Sequence, residues 1–281
     1  MKIIECPRDA MQGLEKFVDT DLKASFINRL LKVGFDTIDF GSFVSERAIP
    51  QMKDTAQLIT KLDDSPTKLL AIIANKRGAI DACSFDRINY LGFPFSISEE
   101  FQKRNTNKTI EQSLISLSEI QELAFKNNKS LVVYLSMAFG NPYNEKWHED
   151  MVALWAEKVI DLGVNTLALS DTIGVSNKSN IRSLFQLLTT EFPKVEWGAH
   201  LHTTKDSWKE KVESAYNSGC RRFDAAIMGF GGCPMANDAL VGNLATESLI
   251  SFLHEKKIDH SINTLAFESA YNKSLEIFNH H

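Results

Sequence analysis

The sequence predicts a (β/α)8 barrel, and three observations lead there. Eight short apolar runs alternate with longer amphipathic segments along all 281 residues. Several of the amphipathic segments stop at a glycine just before the next run, as in Lys32-Val33-Gly34, Asp161-Leu162-Gly163 and Asn217-Ser218-Gly219. No Gly-x-Gly-x-x-Gly follows the first run, which weighs against the alternative, a doubly wound sheet.

Taken in order, the strand-like runs are 2–6, 37–40, 69–74, 88–91, 131–135, 166–169, 196–201 and 223–227. Each is four to six residues of mainly aliphatic, aromatic or β-branched character, the length and chemistry of a buried parallel strand. Between them, 21–33, 49–62, 109–127, 149–162, 180–191, 208–218 and 246–255 repeat apolar residues at helical spacing. No linker, low-complexity tract or charge block divides the chain. It reads as one barrel domain over about 2–256 with a C-terminal extension over about 257–281, which lengthens or caps the barrel. His280-His281 is either natural or a cloning remnant.

Composition narrows the function. A formal net charge of −5 argues against nucleic acid or an anionic membrane as partner, since a polyanion gains nothing from approaching the whole molecule. No window reaches the roughly 18–20 apolar residues that span a bilayer, and Met1–Cys6 has no secretory character. Cys6, Cys83, Cys220 and Cys233 form no Cys-x-x-Cys pair, so a disulfide framework or structural zinc is not expected. A reducing, cytoplasmic location fits, with three of the four thiols acting as small buried apolar groups.

In such a barrel, catalytic groups gather where strands end and βα loops begin. The conspicuous polar residues fall at those places. Arg8, Asp9 and Gln12 follow the first run; Asp39 and Ser42 close the second. Ser96 and Ser98 lie beyond the fourth, Ser136 ends the fifth, and Asp171-Thr172 follows the sixth. His200 and His202 end the seventh, while Cys233 and Asn243 lie in the long segment after the eighth. Two residues apart on a strand, His200 and His202 point the same way with Cα atoms roughly 6.5–7 Å apart. They read either as a metal-gripping pair or as a hydrogen-bonded pair lining the barrel. Asp9 adds a carboxylate and Asn243 an amide oxygen, a donor set suited to Mg²⁺ or Mn²⁺ rather than to closed structural Zn²⁺. Arg8, permanently charged and planar, suits a carboxylate or a developing enolate, although Arg8-Asp9 also reads as a plain ion pair. Asp39 is either an acid/base group or a solvated loop carboxylate, and Asp171 also reads as a helix cap. Gly229-Phe230-Gly231-Gly232-Cys233-Pro234 is either a mobile loop presenting a thiol or a turn around a packed one.

The assembled motifs resemble those of the 3-hydroxy-3-methylglutaryl-CoA lyases, within the metal-dependent lyase and aldolase barrels named for an Asp-Arg-Glu motif. The likeness runs from about residue 3 to 255. It rests on Pro7-Arg8-Asp9-Ala10-Met11-Gln12, on Ser42-Phe43-Val44-Ser45 with Pro50-Gln51-Met52, and on Ser98-Glu99-Glu100-Phe101 through Asn105-Thr106-Asn107. Asp171-Thr172-Ile173-Gly174-Val175, the histidine pair and the Gly-x-Gly-Gly-Cys-Pro segment complete it. The resemblance implies a divalent-metal-dependent retro-Claisen lyase giving acetyl-CoA and acetoacetate, as in leucine breakdown. It implies Asp9, His200, His202 and Asn243 as metal ligands, with His200 also in the chemistry. Arg8 becomes the enolate stabiliser, Cys233 a proton-handling thiol on a closing loop, and Asp39 and Asp171 further catalytic groups. Gln12, Ser42, Ser98 and Asn105 would lie on the acyl-CoA side, and the assembly would be a homodimer. Asp39 stands where the best-known lyases carry Glu. The alternatives are a Claisen-type synthase or aldolase on the same barrel, and a non-catalytic acyl-CoA binder. The synthases generally carry Gly-Glu-Arg where this chain has Gly232-Cys233-Pro234.

Overall fold

The computed structural model describes residues 1–232 and 241–279. In chain order the described elements begin with β1 (Lys2–Glu5), α1 (Pro7–Gln12), α2 (Thr20–Leu30), β2 (Thr37–Ser42), α3 (Thr55–Ile59), β3 (Lys68–Ile72) and α4 (Lys76–Cys83). They continue with β4 (Ile88–Ser96), α5 (Glu99–Thr106), α6 (Ile110–Lys126), β5 (Ser130–Ser136), α7 (Glu149–Asp161), β6 (Thr166–Ser170) and α8 (Lys178–Glu191). The last are β7 (Glu196–His200), β8 (His202–Thr203), α9 (Trp208–Asn217), β9 (Arg222–Ala225), β10 (Gly242–Asn243), α10 (Thr246–Lys256) and α11 (Thr264–Phe278).

Eight parallel strands, β1 to β7 and then β9, close into a barrel through the pairing of β1 with β9. This is the (β/α)8 architecture that the alternation of runs predicts. Two apolar layers hold it. The inner one fills the barrel with Leu70, Ile72, Val132, Tyr134 and Ala168. The outer one buries the inward stripes of the helices against the strands, with Phe26, Phe93, Phe95, Phe185, Phe223 and Phe252 among its bulkiest members. No described helix is long and apolar enough to cross a membrane.

The structure corrects the expected elements in three places. The fourth strand does not stop at Leu91 but runs to Ser96, paired with β5 as far as Ser96–Ser136. Gly92 and Pro94 look like breakers in sequence. Gly92 is kept in the ladder because a Cβ there would come within 2.5 Å of Ile72 Cδ1. The helix expected over 49–62 is a short 3-10 turn, Pro50–Met52, followed by α3. Thr55 interrupts it, donating from its hydroxyl to the Met52 carbonyl and accepting from the Ser42 amide. The histidine pair does not share one strand: β7 ends at His200, and His202 opens β8, which pairs antiparallel with β10. The tail after Thr264 is a full helix, α11, lying along α2 with Phe278 set edge-on to Phe26. The short helices α1, α4 and α5 were also not separable from loop in the sequence.

Candidate active site

A cleft of about 340 Å³ opens at the carboxyl ends of the barrel strands. Its described walls include Arg8, Asp9 and Gln12 from α1, Tyr134 and Ser136 from β5, and His200, His202 and Gly232. Val44, Ile49, Ile72 and Phe101 add apolar lining, together with Asn105.

α1 begins right after β1, with Pro7 in its first turn, and its six residues put Arg8, Asp9 and Gln12 on one face. Arg8 donates from Nη1 to Asp9 Oδ1 at 2.9 Å and to Gln12 Oε1 at 2.7 Å. Gln12 returns a bond from Nε2 to Asp9 Oδ1 at 2.9 Å. Beneath them, Asp39 from β2 accepts from Arg8 Nε at 3.0 Å and Nη2 at 2.5 Å. A guanidinium has five N–H groups. These bonds use four of them, and the remaining one is on Nη2.

Burial works against the charged form of Asp9, but Arg8, His200 and the Asn243 amide outweigh it and hold its pKa below the ordinary value. For Asp39, burial prevails over Arg8 and lifts the pKa to about 6, still ionised at neutral pH. Burial also opposes charge on His200, yet its hydrogen bond to Asp224 (Nδ1 to Oδ2, 3.2 Å) and the charges of Asp224 and Asp9 push it up. His202 goes the other way: burial and its neighbour His200 bring it down to about 4, so it is neutral. The two rings meet edge to face at 5.6 Å. Asn243 donates from Nδ2 to Asp9 Oδ2 at 2.6 Å and to the Phe230 carbonyl at 2.8 Å.

The groups lining the cleft suit a divalent cation. His202 Nδ1 is buried and has no hydrogen-bond partner among the described residues, a costly state for a polar atom unless something binds there. Asp9, Asp39 and Asp224 also put three buried carboxylates opposite two guanidiniums, Arg8 and Arg222, which favours an added positive charge. Among the described residues no three His, Cys, Asp or Glu side chains form a finished metal cluster. Asp9 and Asn243 instead hold each other. In chemical kind, one carboxylate, two imidazoles and one amide fit an oxygen- and nitrogen-liganded ion.

The family model described as HMGL-like matches residues 2–273. The chain belongs to the HMGL-like family. The hydroxymethylglutaryl-CoA lyase of Bacillus subtilis is 30% identical over 257 residues, covering 91% of this chain and 85% of that protein. A crystal structure of the Bacillus subtilis HMG-CoA lyase superposes with a TM-score of 0.92 at 30% identity, covering 98% of this chain and 92% of that one. The HMG-CoA lyase from Acinetobacter baumannii, in complex with coenzyme A and 3-methylmalate, gives 0.90 at 30% identity, covering 98% and 90%.

Within this HMGL-like barrel, the structure gathers Arg8, Asp9, Gln12, Asn105, His200 and His202 at one cleft, with Asn243 against Asp9. Others expected there stand behind it. Asp39 lies under Arg8. Asp171 is paired with Lys211 at 2.8 Å and accepts from the amide and hydroxyl of Ser176. Lys211 also donates to the His202 carbonyl, so this pair braces the histidine strand from outside. Ser42 accepts from the Val44 amide, and Ser98 caps α5 while donating to Glu145. Both are structural in these contacts. Cys233 lies outside the described residues, as do His280 and His281. Of the other thiols, Cys6 and Cys220 are buried and pushed up by burial, Cys220 to about 12, while Cys83 is only half-buried.

Sequence reasoning missed Asp224, Arg222 and Tyr134. A usable signal was present: Arg222-Phe223-Asp224 puts two charges two residues apart on a barrel strand, so both face the interior.

Proposed function

We propose that this chain is a divalent-cation-dependent carbon–carbon lyase that cleaves 3-hydroxy-3-methylglutaryl-CoA to acetyl-CoA and acetoacetate. The reading draws on family membership and on the substrate named for the Bacillus subtilis relative. The observation that carries it is the cleft itself, where Arg8 keeps one Nη2–H beyond its bonds to Asp39, Asp9 and Gln12, beside two imidazoles and a carboxylate.

Asp9, His200, His202 and Asn243 would hold the cation, with Mg²⁺ or Mn²⁺ suited to the mixed oxygen and nitrogen donors. When bound, the ion supplies Lewis acidity to the substrate oxygens. The protein side of the reaction follows from the groups present. Breaking the carbon–carbon bond of a tertiary alkoxide sends negative charge onto the thioester oxygen. Arg8, held rigid by Asp39 and Gln12, stabilises that charge without reorganising. His200, with Nδ1 taken by Asp224, has its one free lone pair on Nε2, and that nitrogen would hold the cation that eases loss of the hydroxyl proton. Cys233 is our candidate to protonate the departing enolate carbon. The apolar wall from Val44 to Phe101 accommodates the pantetheine arm, beside Asn105.

The test is an assay for acetyl-CoA and acetoacetate from hydroxymethylglutaryl-CoA, with Mg²⁺ or Mn²⁺ and with chelator. Metal-dependent formation of both products is expected. A chain that releases neither under any divalent cation is not this lyase, and a panel of branched hydroxyacyl-CoA esters then identifies its acyl preference.

A further inference from the structure

We propose that Asp224, anchored by Arg222, is a positioning residue that fixes the His200 ring with its proton on Nδ1 and reserves Nε2 for the cleft. The inference uses the proposed function only in giving His200 work to do; the orientation itself is independent of the reaction.

The backbone sets it up. In the ladder between β7 and β9, His200 is the register partner of Asp224 and Gly198 of Arg222. Partners on adjacent strands point to the same face, so all four positions face the barrel interior. His200 Nδ1 lies 3.2 Å from Asp224 Oδ2, and Asp224 Oδ1 accepts from Arg222 Nη1 at 2.9 Å. A carboxylate only accepts, so the His200 nitrogen between them carries the hydrogen. Asp224 and Arg222 are 2% and 3% exposed, too buried to be an incidental surface pair. The chain extends to Glu196, whose oxygens lie 3.8 Å from Arg222 Nε and 2.8 Å from Lys2 Nζ at the far rim.

The space for this arrangement is also built. A Cβ on Gly198 would stand 3.1 Å from Arg222 Nη1 and 3.4 Å from its Cδ, so the glycine leaves room for the guanidinium. The Tyr134 ring stands edge to face against His200 at 5.7 Å, and a Cβ on Gly92 would come within 3.2 Å of that ring. Tyr134, His202 and Asp224 thus hold the imidazole from three directions. Partners of this kind fix the tautomer and orientation of a histidine that acts through its other nitrogen.

A purely structural ion pair would give the same contacts, so the test reads the ring. In Asp224→Asn, Arg222 still demands an acceptor, and the amide oxygen turns to it. The amide NH2 then faces His200 Nδ1, which must accept, and the hydrogen moves to Nε2. ¹⁵N spectra of histidine-labelled protein without substrate, with His200 assigned through His200→Gln, should show that exchange. Mn²⁺ affinity by titration calorimetry should weaken about 10- to 100-fold. The paired replacement Arg222→Met with Asp224→Leu removes both buried charges together, a change that buried ion pairs often tolerate. It covers the case in which Asp224→Asn does not fold. It should also lose the Nδ1–H form and weaken Mn²⁺ binding. A wild-type tautomer and Mn²⁺ affinity in both variants would make the pair a structural brace and overturn the proposal. Wild-type protein without lyase activity would remove the proposed function while leaving this result readable.

Discussion

Glu5 shows how a single residue ties the barrel wall to the root of the glycine-rich segment. It is fully buried, accepting from the Ile227 amide at 2.9 Å and from the Thr246 hydroxyl at 2.6 Å. Burial, only partly offset by those bonds, lifts its pKa from 4.5 to about 8. The sign follows from linkage. Between about pH 4.5 and 8 the folded protein keeps a proton that the unfolded chain has released, so stability falls as pH rises through that window. Each pKa unit corresponds to about 1.4 kcal/mol, which makes the decline a few kcal/mol. Urea unfolding at pH 5, 7 and 9 should show it, and Glu5→Gln should flatten it; a parallel slope in both proteins would refute the assignment. At this scale the sequence was most legible where chemistry is contiguous. Arg8, Asp9 and Gln12 sit within one turn, and their spacing alone brings them together. Asp224 was not legible, because its meaning comes from inter-strand register with His200, 24 residues away in the chain. Asp171 shows the same dependence on tertiary contacts. Its neighbours Thr172 and Ser170 line the cleft, while its own carboxylate pairs with Lys211, 40 residues away in the chain.

At the scale of elements, the short β8–β10 pair matters most. It sets Asn243 opposite His202 in register, and Gly231 crosses directly over it. Gly231 has φ of +93°, a conformation that favours glycine, and a Cβ there would lie 2.6 Å from Asn243 Nδ2 and 2.7 Å from the Asp9 carbonyl. Gly231→Ala should therefore push Asn243 from Asp9 and strain the backbone at once. We expect at least a tenfold loss of kcat and weaker Mn²⁺ binding with little change in thermal midpoint, measured by steady-state kinetics, calorimetry and a melt. Unchanged kinetics would show that the crossing is slack. The barrel strands were readable from apolar runs because each is buried on both faces. β8 and β10, two residues each, carry no periodicity, and only tertiary pairing creates them. The predicted 49–62 helix failed for a related reason: its pattern is helical, but side-chain hydrogen bonds from Thr55 to β2 and to Met52 compete with the helix ladder.

The whole molecule is joined by α11. Phe278 stacks on Phe230 with centroids 4.4 Å apart, and the Ser274 hydroxyl reaches Met228 Sδ. Helix and glycine-rich root are thus one packed unit. Phe278→Ala should cost about 3–4 kcal/mol of stability and lower kcat through a loosened Phe230, read by denaturant unfolding alongside turnover. Loss of stability with unaltered turnover would separate the two. The pairing of β1 with β9 has a temporal consequence. A chain made from its amino end produces Lys2–Glu5 long before Arg222–Ala225, the second partner of that strand. Asp9 and Glu5 must likewise await Asn243 and Thr246. Until then the nascent barrel is an open sheet with exposed edges, the state most prone to pairing with a stranger. The centre that would do the chemistry cannot take shape before Asn243 has been made.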